Sequence, residues 1–287
     1  MNGTAPEIAS MKKSDLQTAI RNRYFYGKLL DVYHFELETN YLNAKRWLLN
    51  RLVFGYGVVC GLDVKVGPES HTVVITPGVA IDKWGREVVV PEETRPIAIP
   101  ADLLPPPRPG SEGEPVRQAQ YGEHKDQGQY GKRDPAKDRP YEDKRKEEEV
   151  WVKVMLCYHE CEGDPVPVMA GDCGGTDICA AGTIREQYRI TFQEGRSKPI
   201  NTACAIPDLV PGARIDYSAV VRWVTDGCPE LPRNPCITLA NILVSGGGHH
   251  CNEENIDINV RPIVYSNDLL YNLILSLLTE HKDRRDK

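Results

Sequence analysis

Between Asp31 and Phe54 the apolar positions fall at helical spacing. Tyr41, Lys45, Leu48 and Leu52 form one stripe, which Leu42, Leu49 and Val53 widen. Asp31 is a suitable N-cap, and Glu36 and Glu38 place negative charge near the positive helix end. Arg46 and Arg51 lie toward the other end. The pattern predicts a helix of roughly 22 residues. Gly55-Tyr56-Gly57 stops it, because glycine accepts the backbone angles that end helices. Val58 to Val64 follows at once as a strand, so helix and strand meet at a tight corner.

Beyond the corner the period changes to two. His71–Thr76, Val79–Asp82 and Arg86–Val90 read as strands, with Asp82 and Gly85 as the first and fourth positions of a type I turn. In the second half, Val152, Val154 and Leu156 alternate with Trp151, Lys153 and Met155, the pattern of a central strand. Ile184–Phe192, Asp216–Val224, Ile237–Val244 and Ile256–Val264 read as further strands. Ser266-Asn267-Asp268 caps a short helix over Leu269–Leu278.

Residues 101–149 break the pattern. Pro105-Pro106-Pro107 opens the stretch, and from Arg117 to Glu149 there is no Ile, Leu, Val, Met, Phe, Trp or Cys. Such a segment buries too little apolar surface to offset its ordering entropy, so a disordered insertion is expected. The expected fold is α+β, mostly β. Residues 1–20 form a flexible N-terminus, 21–100 a helix plus hairpin region, 101–149 the insertion, and 150–287 a β-rich, cysteine-bearing region with a C-terminal helix. The two halves can also share one sheet, with the insertion a long loop within a single domain.

Composition narrows the function. The 287 residues are 40% hydrophobic and 26% charged, ordinary for a globular chain. A formal net charge of −6 disfavours an electrostatic nucleic-acid binder. No secretory signal is legible in residues 1–20, and no window is long and apolar enough for a membrane span. Cytoplasmic synthesis is therefore expected.

Nine cysteines then stand out. In a reducing compartment metal is favoured over structural disulfides. The zinc candidate is Cys157, Cys161, Cys173 and Cys179, with His159 between the first two and glycines around Cys173. A second group is Cys228 and Cys236 with His249, His250 and Cys251. Neither has the spacing of paired CxxC knuckles, so disulfides and buried free thiols stay open as alternatives. There is no GxSxG, HExxH, P-loop or GxGxxG after a strand, and no catalytic residues are assigned.

Large rigid aromatics mark candidate interfaces instead. Tyr24, Phe25 and Tyr26 precede the first helix and Trp47 lies on it, while Tyr121, Tyr130 and Tyr141 punctuate the insertion. The segments FYGKLLDVYHFELETNYLNAKRWLLNRLVFGYGVVCGLDV, ITPGVAIDKWGREVVVPEE and LCYHECEGDPVPV resemble an uncharacterised family found in gene clusters of phage-tail-like contractile injection systems. The resemblance covers roughly residues 28–100 and 150–192 and the C-terminal strand and helix. It implies membership of a particle and carries no catalytic residues. The expected role is a structural accessory component at the baseplate or periphery, homo-oligomeric in the assembly and contacting baseplate, sheath or tube-end proteins. Release from the cell would then occur within the particle. A cap or adaptor at the other end is the alternative in the same class. A metal- or thiol-dependent hydrolase of envelope polymers is the alternative in another.

Overall fold

A computed structural model describes residues 16, 18–105, 149–167, 179–206, 209–210, 214–245 and 252–285, without the side chains of 278–285. Among them are three α-helices and ten strands, a mostly-β α+β fold.

The corner forms largely as its sequence requires. Helix α1 (Val32–Leu49) begins at Asp31, whose carboxylate accepts the His34 amide, and His34 closes the reciprocal capping box. A five-residue π-helical turn, Asn50–Phe54, extends it. Gly55, at φ +81°, releases the chain into β1 (Gly57–Gly61). The expected strand to Val64 is broken at Leu62, which has positive φ, and resumes as β2 (Val64–Val66). Strands β3 (Thr72–Ile75), β4 (Gly78–Ile81), β5 (Glu87–Val90) and β6 (Ile97–Ala98) follow. They make two small antiparallel sheets, ordered β1-β4-β5 and β2-β3-β6.

The second half is built on a larger sheet. Strands β7 (Glu149–Pro167) and β8 (Cys179–Glu194) form a long ribbon. With β9 (Ile237–Ser245) and β10 (Ile256–Asp257) the order is β10-β9-β7-β8, so β7 is interior as its alternation predicted. Among the described residues the two halves share no sheet, yet they share one core. Leu62, Ile75, Val88 and Val90 pack with Val152, Leu156, Ile237, Leu239 and Ile242. At about 25 cal/mol per Å² of apolar surface, this shared burial is the main force joining them.

Two strand expectations are corrected. Residues 216–224 are not a strand but belong to helix α2 (Tyr217–Thr225). Asp216 caps it, accepting from the Ser218 amide and hydroxyl, and this local bond outweighs the β-preference of Val220, Val221 and Val224. The run 256–264 yields only the two residues of β10, then turns; Val58 donates to the Pro262 carbonyl and Val264 to the Val58 carbonyl. The C-terminal helix is longer than expected: α3 spans Asn267–Arg285, with Ser266 Oγ accepting the Leu269 amide. The expected insertion falls mostly at 106–148, outside the described residues.

Candidate functional site

The β4–β5 turn is the hinge of the corner. Asp82 is fully buried and accepts the amides of Trp84 and Arg86 while pairing with the Arg86 guanidinium at 2.7 Å. Gly85 donates back to the Asp82 carbonyl, the type I bond read from sequence. Gly85 has φ +91°, and a Cβ there would meet the Trp47 carbonyl oxygen at 2.1 Å. Only glycine lets the turn approach the helix backbone this closely. Asn50 then rivets helix to turn, donating to the Gly85 carbonyl at 2.9 Å and to Glu87 at 2.7 Å. Arg46 reaches the same Glu87 carboxylate.

Between α1, this turn and β7 lies a cleft of about 580 Å³. Trp47, Trp84 and Tyr158 give it aromatic walls, and Lys45, Arg51 and Arg86 give it positive charge. Arg86 stacks on Trp84 at 4.8 Å and on Tyr158 at 4.4 Å. Burial, then the hydrogen bond to Glu160, hold the Tyr158 phenol well above its ordinary range. The Trp47 ring nitrogen is buried without an acceptor among the described residues. A segment with three prolines, 228–236, borders it through Leu231. Its carbonyls accept from Arg51 (Pro229, 2.9 Å), the Trp84 ring (Pro232, 2.8 Å) and the Lys83 amide (Pro235, 3.0 Å). This cleft is missed from sequence because its walls come from five separate segments.

The expected interface aromatics divide. Tyr24, Phe25 and Tyr26 are exposed at a turn in which Lys28 donates to the Phe25 carbonyl. Trp47 is half-buried in the cleft. Tyr121, Tyr130 and Tyr141 lie outside the described residues. Exposed apolar side chains also cover the helices: Val32, Phe35, Leu42 and Val53 around α1, Tyr217, Trp223 and Val224 on α2, and Leu270, Tyr271, Ile274 and Leu277 on α3. Neither α2 nor α3 packs substantially on any other described element.

The three described cysteines of the quartet do not come together. Cys157 forms a disulfide with Cys236, which lies across from it where β7 and β9 pair. A disulfide sulfur has no thiolate left for zinc. Cys161 is opposite Arg185 and Cys179 opposite Pro167, six rungs apart, or about 20 Å along the ribbon. No single ion at Zn–S distances of about 2.3 Å spans that gap. Cys173 lies outside the described residues, as do His249, His250 and Cys251. Cys161 is exposed with its sulfur 4.0 Å from His159 Nε2, but that nitrogen already accepts from Arg189 at 2.9 Å. Among the described residues no three His, Cys, Asp or Glu side chains form a metal-holding group. No helix among them is long and apolar enough to cross a membrane.

The sequence matches no family model, and no curated protein is significantly similar to it.

Proposed function

We propose that the chain is a non-enzymatic structural subunit of a phage-tail-like contractile injection particle, at its baseplate or periphery. The observation that carries the assembly role is the set of apolar helix surfaces left uncovered. Helix α3 presents Leu270, Tyr271, Leu273, Ile274 and Leu277 to solvent on one broad face, with Asn272 and Ser276 on the other. An apolar helix face gains its stability chiefly from packing, so one left against water is a surface available for a partner. Exposed patches on this scale mark protein-protein contacts. The aromatic turn Tyr24–Tyr26 adds rigid anchors beside α1. The particle itself is supported by the sequence resemblance of the corner and the β7 segment.

The test is to place an affinity tag on the chain in a host carrying sheath and tube genes, and to image what it recovers. Recovery of particles with density for the chain at one end supports the proposal. Recovery of the chain alone, with intact particles lacking it, refutes the particle role.

A further inference from the structure

The long ribbon points to a contact the helices do not provide. Strand β9 pairs with β7 only as far as Leu156, so beyond that rung β7 has β8 alone. From Glu160–Glu186 to Pro167–Cys179 the two strands run on for about 25 Å, exposed on both faces except at Gly163. A two-stranded ribbon in water is marginal by itself. This one is weakened further. Gly195 donates to the Trp151 carbonyl, and the same register holds to the tip, so odd-numbered residues of β7 and β8 turn their N–H and C=O groups toward each other. Pro165 and Pro167 fall at such positions and have no N–H to give. The even-numbered residues of β8 turn their N–H and C=O groups outward. Among the described residues β8 pairs only with β7, so that edge is open along its length.

We infer that the β8 edge pairs antiparallel with the β8 edge of a second copy of this chain, with the two-fold axis at Tyr188. A dyad perpendicular to the sheet sets one residue against its own copy; at 185 and at 189 that residue is an arginine, and at 187 Arg185 meets Arg189 twice. At 186 it sets Glu186 against itself, and at 190 it sets Glu186 against Glu194 twice, both repulsive. At 184 only the tips meet. At 188 every residue from 182 to 194 is paired. Ile184, now exposed, then lies against Phe192 of the second copy, and Arg189 against its Gln187. Ile184 shares the face on which Tyr188, Ile190 and Phe192 pack against the core, so the pairing extends that apolar face across the dyad. Each ribbon then lies along the sheet of the other copy, and two four-stranded sheets become one.

Sedimentation equilibrium of the full chain, with residue-resolved amide exchange, tests this. A dimer is expected, with the amides of 184, 186, 188 and 190 slowed in concentrated samples and released on dilution. Ile184→Pro removes one outward N–H and leaves the β7 ladder intact, and it should raise the dimer dissociation constant by about tenfold or more. If that variant misfolds, Ile184→Asp places a charge opposite Phe192 and should do the same. A chain that stays monomeric at hundreds of micromolar overturns the inference. So does a dimer whose even-numbered amides exchange freely, or one that a folded variant leaves unchanged. Substituting Tyr24 and Phe25 should leave this dimer intact, so its failure and that of the particle role are separable.

Discussion

At the scale of single residues, Asp82 does more than any other side chain described. One carboxylate holds two turn amides and a guanidinium in a site with no solvent access. Removing one partner of such a pair leaves an uncompensated charge. Asp82→Ala should therefore cost about 3 kcal/mol or more in denaturant unfolding. Asp82→Asn keeps an oxygen for the two amides and should cost less. Equal losses would mean that the ion pair, not the turn, carries the effect. Tyr158 allows a second check. Its folded-state phenol is raised above its unfolded value, so the folded chain keeps its proton where the unfolded chain loses it. The stability this contributes is complete below about pH 10 and declines as pH rises above that, because the unfolded state then binds fewer protons. Comparing the parent with Tyr158→Phe over that range isolates the term: the parent should lose stability more steeply. Parallel curves would show that the phenol is freer to ionise than its burial implies.

At the scale of elements, the disulfide and the ribbon make different demands on a reader of the sequence. Cys157 and Cys236 are 79 residues apart and meet only because β7 and β9 pair in one register. Local spacing favoured Cys161 as a partner, yet residues four apart on a strand stand about 13 Å apart. The long separation also sets the expected effect. Closing a loop of that size restricts the unfolded chain by up to about 4.5 kcal/mol in the chain-entropy account. Cys157→Ser with Cys236→Ser should lower the unfolding free energy by an amount approaching that ceiling, and the parent should fall to the same stability on reduction. A double variant as stable as the parent would show that the bond does not form. Periodicity located the β4–β5 hairpin, β7 and β9, because each packs against a continuous core, while α1 was marked by its Asp31 cap and Gly55 stop. It failed at α2, where Val220, Val221 and Val224 resemble a strand and the Asp216 cap decides otherwise.

At the scale of the molecule, one core unites strands from both halves while the helices stay outside it. Tyr24, Phe25 and Tyr26, read as interface anchors ahead of the first helix, are exposed in the fold. The cleft was not legible, since Trp47, Trp84, Tyr158 and Leu231 converge only in the folded chain. This division gives the assembly reading a sharp consequence. Side chains that only face solvent typically shift stability by no more than about 0.5 kcal/mol when replaced. Tyr24→Ala with Phe25→Ala should therefore leave the melting of the isolated chain nearly unchanged. The same change removes two anchors of the kind that dominate interfaces, where single truncations commonly cost more than about 1 kcal/mol. Incorporation into tagged particles, measured against the parent at equal folded concentration, should fall severalfold. If melting temperature and incorporation drop together, the aromatic turn is part of the fold. If neither moves, the anchors lie elsewhere, and α3 with its uncovered leucines is the next surface to change.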